Sequence, residues 1–215
     1  MHPLLLRSTL CWFLCLLPSG LVAHPHVWID LRVTLLTNEQ GQLTGLRQSW
    51  RFDPFYSLLV QEELQAGGSE WAMQQREQEL ASQIIGNLQP HQYFTRLRNA
   101  QGQRLAWQPV RDYTLIQTRR RVELSFELLL ETPLSLEDSA FTYQVYDPSY
   151  YIEILHVVEE GIQAGRLPST CRVSVEDPQP SAELIMKALA LDEQDVPEDP
   201  ELGRHFAETI RVVCP

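Results

Sequence analysis

The sequence predicts a mainly antiparallel β protein with helical insertions, α+β or β-sandwich-like, built around one core. Two patterns carry this expectation: short segments rich in Val, Ile, Thr, Tyr and Phe recur between turn residues, and the clearest of them alternates apolar and polar side chains with a period of two. A third observation limits the helix content, because only two stretches have the composition of a helix.

His26 to Leu36 is the clearest strand. Val27, Ile29, Leu31, Val33 and Leu35 form an apolar face, while His26, Trp28, Asp30, Arg32 and Thr34 form the other, so a half-buried strand is expected. Asn38-Glu39-Gln40-Gly41-Gln42 supplies the turn, and Leu43 to Phe52 is expected to return antiparallel. Pro54 ends the extended pattern. From Ser57 to Leu88 long polar residues, Leu, Met and Ala replace β-branched ones, which predicts a helical insertion near 57–88.

A second hairpin is expected from Tyr93 to Arg98 and Arg104 to Val110 around Asn99-Ala100-Gln101-Gly102. Tyr113 to Arg120, Val122 to Leu130, Phe141 to Tyr146 and Tyr151 to Val158 follow as strands. Cys171 to Glu176 and Thr209 to Val213 are expected to close the sheet. Between them Ser181 to Leu191 reads as a helix, capped by Ser181 with Glu183 in its first turn. Asp192 to Glu201 is acidic, holds two prolines and reads as a solvated loop.

With 44% hydrophobic and 21% charged residues and only 10 glycines, the composition is that of a globular chain rather than a disordered or multi-span membrane protein. The formal net charge is −11, from 17 Lys and Arg against 28 Asp and Glu. Such a surface repels phosphate backbones, so no nucleic-acid partner is expected.

Residues 1–23 carry an early cation, Arg7, an apolar stretch from Leu10 to Leu17, then Pro18-Ser19-Gly20 and Ala23. This reads as a cleaved secretory signal, too short and interrupted too early to be a membrane span. Bulky Leu10 and Leu14 precede Cys11 and Cys15, so no lipid anchor is expected. Cleavage after Ala23 leaves residues 24–215 as one β-rich domain beginning at His24, while a cut after Gly20 would leave Leu-Val-Ala ahead of it. Two cysteines remain, Cys171 and Cys214. In an oxidising compartment they are expected to form a structural disulfide rather than a thiolate metal site.

His24-Pro25-His26 is the sharpest chemical signal. A terminal His24 offers its α-amine and its imidazole to one ion, and His26, two residues on in an extended chain, can project to the same side, with Asp30 continuing that face. Nitrogen donors suit zinc, copper and nickel over calcium or magnesium. Pro25 has no amide hydrogen, which excludes the square-planar arrangement that needs deprotonated backbone nitrogens. The plain structural alternative is a pair of exposed histidines at a frayed chain start.

Two further clusters join Asp to Pro and aromatics: Phe52-Asp53-Pro54-Phe55-Tyr56-Ser57 and Tyr146-Asp147-Pro148-Ser149-Tyr150-Tyr151. Asp before Pro is ordinary turn chemistry. The functional reading brings Asp53 and Asp147 to the histidine pair as oxygen ligands or as acceptors that orient an imidazole. His91, His156 and His205 are isolated, His156 reading as a satisfied core residue, and Arg119-Arg120-Arg121 as a solvated turn. No phosphate loop, nucleophile elbow, His-Glu-x-x-His helix or Cys/His pair is present.

The stretches Ala-His-Pro-His-Val-Trp-Ile-Asp, Phe-Asp-Pro-Phe-Tyr-Ser and Tyr-Asp-Pro-Ser-Tyr-Tyr resemble an uncharacterised bacterial family described as the periplasmic component of an ABC-type transport system. The resemblance spans His24 to at least Tyr151. It implies a periplasmic protein associated with nickel/cobalt-type permeases, with His24, His26, Asp53 and Asp147 as motif positions. The chain is short and lacks the alternating β/α pattern of a two-lobed binding protein, so clamshell capture is not expected.

The expected function is therefore non-enzymatic: binding a divalent transition metal (nickel, cobalt, zinc or copper) for an inner-membrane metal transporter or permease. Two alternatives stand beside it, a copper-dependent oxidoreductase built on a histidine brace and a metal-free interaction module.

Overall fold

The computed structural model describes residues 25–65, 69–137, 139–158, 160–191 and 195–215. The expected leader and His24 lie outside them. The described strands form two sheets. The larger contains β1 (Val27–Thr37), β2 (Leu43–Phe52), β4 (Tyr113–Thr118), β5 (Arg121–Leu134), β7 (Ile152–His156) and β8 (Ile162–Gln163), in the order β4-β5-β2-β1-β7 with β8 also on β1. The smaller contains β3 (Thr95–Asn99), β6 (Ser139–Val145), β9 (Arg172–Glu176) and β10 (Thr209–Cys214), in the order β3-β6-β10-β9.

One principal core gathers the inward faces of both sheets, with Leu31, Leu46, Trp50 and Phe126 from the larger and Leu97, Phe141, Ile210 and Val212 from the smaller. The fold is thus α+β with one core, as expected. In β1 the alternation holds residue by residue: Val27, Ile29, Leu31, Val33 and Leu35 are buried, and the intervening side chains are not. Its partner β2 is antiparallel, with Ile29 opposite Phe52. A smaller cluster of Tyr150, Ala188 and Leu202 lies under α3 (Ala182–Leu189), whose cap is Ser181, accepting from Leu184 N at 3.2 Å.

Three sequence expectations are corrected, and one pairing goes beyond them. β7 and β8 run parallel to β1, with Val27 opposite Ile152 and Val33 opposite Ile162. The chain leaves β6 in one sheet and crosses to the other, so β7 arrives without a hairpin to reverse its direction relative to β1. The helical insertion begins at Pro54 rather than Ser57 and is two helices, α1 (Pro54–Gln65) and α2 (Glu70–Leu88), the second capped by Ser69. Proline is at home at a first helical position, where no N–H is required.

The expected strand over Arg104 to Val110 is reduced to two isolated bridges, Arg98 to Arg104 and Trp107 to Leu130. That segment changes partner midway. Leu105 N donates to Leu97 O in the smaller sheet, then Gln108 N donates to Leu129 O in the larger, so no ladder continues on either. The strand expected from Tyr93 begins only at Thr95, because Gln92, Tyr93 and Phe94 take left-handed φ values of 57°, 52° and 54° as the chain leaves a short 3-10 turn. A second 3-10 turn, Leu202–Phe206, follows the acidic loop. Among the described residues no helix is long and apolar enough to cross a membrane.

Cys171 and Cys214 are bonded, joining neighbouring strands β9 and β10 at one end of the smaller sheet across 43 residues. A loop of this length is worth about 4 kcal/mol of unfolded-state entropy. The Cys171→Ser, Cys214→Ser double variant is expected to lose about 3–4 kcal/mol in denaturant titration, and reductant should shift the natural chain by the same amount and leave the variant unchanged.

Candidate functional site

The amino-terminal half of β1 has a neighbour on each side, and this places two of the motif clusters. On one side Asp53 follows β2. Its backbone N–H donates to Trp28 O at 2.9 Å and its Oδ2 accepts from Trp28 N at 3.3 Å. Its Oδ1 accepts from Phe55 N at 2.8 Å and Tyr56 N at 3.0 Å, capping the start of α1. On the other side Tyr151 precedes β7. Its carbonyl accepts from His26 N at 2.9 Å, and its ring lies 4.7 Å from the His26 imidazole.

Asp147 sets that second loop. It is 6% exposed, and all its oxygens are engaged: Oδ1 accepts from Ser149 N at 3.0 Å, Ser149 Oγ lies 2.9 Å from both oxygens, and Oδ2 accepts from Ile152 N at 3.0 Å. Tyr150 N donates back to Asp147 O with φ at 61°, a positive value held by the turn. Gly203 closes against the same carbonyl, since a Cβ there would lie 1.9 Å from Asp147 O.

Thus His26, Asp53 and the Tyr151 loop meet at one end of the larger sheet. Asp147 reaches that end only by shaping the loop. Burial pushes the Tyr56 phenol above its ordinary value, and Glu63, Tyr151 and Asp53 push it the same way. Asp30, on the His26 face, is occupied: Arg51 and Arg121 each hold its Oδ2 at 2.9 Å. Arg121 is therefore an ion-pairing residue that also donates to Phe52 O, rather than part of a solvated turn. Trp28, two residues on from His26, is 48% exposed, and Phe55, two residues on from Asp53, is 71% exposed.

Among the described residues no group of three or more His, Cys, Asp or Glu could hold a metal ion. His26 supplies one imidazole and Asp53 one carboxylate with lone pairs to spare. The donors that would complete a set, the His24 imidazole and a freed α-amine, lie outside the described residues. The donor chemistry fits a transition metal only with His24 included.

A second titratable cluster was not readable from the sequence. His156, at the end of β7, accepts at or donates from Nε2 to Tyr143 Oη at 3.1 Å, and its Nδ1 lies 2.7 Å from Glu208 Oε2. The same carboxylate oxygen accepts from His156 backbone N at 2.8 Å. His156 is thus the satisfied core residue expected, but its partner lies 52 residues away, with no local signal. Burial drives the Tyr143 phenol well up, and Glu208 adds to that. For Glu208 burial acts upward, but the side-chain and backbone hydrogen bonds from His156 outweigh it and hold the carboxyl below its ordinary value. In the other tyrosine motif, burial and the hydrogen bond to Glu201 raise Tyr146 to about 12.

The family described as "Protein of unknown function (DUF1007)" matches residues 9–214, and the chain belongs to it. A relative from Haemophilus influenzae, described as "Uncharacterized protein", is 28% identical over 197 residues, covering 91% of this chain and 93% of the relative. No solved structure matches the chain.

Two outcomes follow from this geometry. Gly203→Ala should destabilise by about 1–3 kcal/mol, read by thermal or chemical denaturation, because the Asp147 carbonyl must move. Because the Glu208 pKa is depressed in the folded state, its ionised form adds stability that is complete above the unfolded value near 4.5 and is lost as pH falls through the folded value. The stability gap between the natural chain and Glu208→Gln should therefore be widest near about pH 7 and narrow by about pH 3, measured by urea denaturation at each pH.

Proposed function

We propose that this member of the family is a periplasmic accessory or substrate-binding protein that takes a divalent transition metal as cargo and presents it to an inner-membrane metal transporter. The reading rests on one observation: Pro25 and His26 lead into β1 where the Asp53 and Tyr151 loops meet it, with His26 N on Tyr151 O and Trp28 N on Asp53 Oδ2. His24 and a freed amine would supply two nitrogens, His26 a third, and Asp53 an oxygen or an orienting acceptor. Asp147, with its oxygens engaged by Ser149 and Ile152, serves as a positioning residue. The nickel/cobalt association comes from the resemblance of the three motifs to permease-linked proteins.

The exposed Trp28 and Phe55, close in the chain to His26 and Asp53, favour a second reading, a copper-dependent oxidoreductase with an aromatic substrate face. Oxygen uptake driven by a reductant, appearing with copper and with no other ion, would select it.

Chain exported with its own leader should show by intact mass a start at His24. After dialysis it should bind nickel, cobalt, zinc or copper with a stoichiometry near one by calorimetry. His24→Ala, His26→Ala and an added amino-terminal residue should each weaken binding by about tenfold or more. Asp53→Asn should weaken it less, while Asp147→Asn should act mainly on stability. A flat titration for all four ions would overturn the proposal.

A further inference from the structure

The smaller sheet ends in a bare strand whose side-chain pattern is complementary to itself. Among the described residues, two of the other edge strands, β3 and β7, are engaged in part. On β3, Leu105 N donates to Leu97 O and Asn99 N donates to Gln103 O; on β7, Glu208 accepts from His156 N. The backbone of β9, by contrast, bonds only to β10. Every other N–H and C=O of Arg172–Glu176 therefore points outward, which is a template for another strand.

Edges are commonly protected by charges of one sign, which repel a second copy of the same strand. In β9 the charges are opposite and sit at opposite ends, in the order Arg172, Val173, Ser174, Val175, Glu176. We infer that two copies of this chain associate through β9, pairing antiparallel about Ser174 and joining two four-stranded sheets into one. This inference is independent of metal binding.

In that register each Arg172 lies opposite the second copy's Glu176, twice by symmetry, and each Val173 opposite Val175. Moving the centre to Val173 or Val175 leaves both charge pairs unmade, and moving it to Arg172 or Glu176 sets like charges face to face. Arg172 makes no ion pair among the described residues, whereas Glu176 already holds Arg211 of β10 at 2.9 Å.

The apolar side chains point the same way. Val175 is 46% exposed and borders a cleft of about 290 Å³ together with His156, Gly161, Ile162 and Glu208. A strand added about 4.8 Å beyond β9 brings a second valine against Val175, beside that cleft. Pro168, Pro178 and Pro180 bound the strand, so the shared ladder stays five residues long. The two-fold arrangement uses both copies' edges and cannot propagate into a fibre.

The test uses the exported chain with its disulfide intact, followed by sedimentation over a range of concentrations. The natural chain is expected to be a reversible dimer. Arg172→Glu and Glu176→Arg, each checked for folding by circular dichroism, should each weaken dimerisation by about tenfold, and the double variant should recover to within about threefold of the natural chain. As a second measurement, Ser174→Cys should oxidise to a covalent dimer, while Thr118→Cys at the end of β4 should not. A natural chain that stays monomeric with no cross-link through Ser174→Cys overturns the inference. So does a dimer indifferent to both charge reversals, or a double variant that fails to recover.

Discussion

Most of the molecule is arranged around β1. Its five inward residues, Val27 to Leu35, are buried in the core, and both its edges are taken, by antiparallel β2 and by parallel β7. A slip of one residue would turn every apolar side chain outward and bury Asp30 with Arg32, so the register has no competitor. The same constraint forces His26, Trp28 and Asp30 to the other face. It also determines which loops meet the strand's beginning: the one after β2, carrying Asp53, and the one before β7, carrying Tyr151.

Two polar struts hold the sheets in one relation across the core. In the first, Gln48 of β2 donates to Thr95 Oγ1 of β3 at 2.9 Å and accepts from Trp50 Nε1 at 2.8 Å, while Thr95 donates to Tyr93 O at 2.8 Å. The second is the chain from Tyr143 through His156 to Glu208. The first strut is buried and the second part-buried, and polar groups that find partners in a core help to specify an arrangement instead of weakening it. The disulfide secures the far end of the smaller sheet. Between these ties the sheets can present loop ends with little freedom, which is what a site assembled from three separate stretches of chain requires.

The motif residues divide by what their polar atoms already do. Asp147, in the second aromatic cluster, has oxygens that organise the turn that delivers Tyr151. Asp53 caps α1 and ties it to Trp28. Asp30 shares the face but is neutralised by Arg51 and Arg121. Motif composition alone could not separate these roles, because each depends on which backbone N–H groups arrive within reach after folding.

Local physics was legible without coordinates wherever a pattern repeats within a few residues. The alternation of β1, the return of β2, the Ser181 cap and the pairing of two leftover cysteines each follow from neighbours in the chain or from simple counting. What needed the tertiary structure were relations between distant segments: β7 parallel to β1, the Arg104 to Val110 stretch shared between two sheets, Glu208 beside His156, and the meeting of the Asp53 and Tyr151 loops. Those contacts join residues tens of positions apart, where no periodicity acts. They are selected only by packing both apolar faces against one another while the buried backbone N–H groups find acceptors.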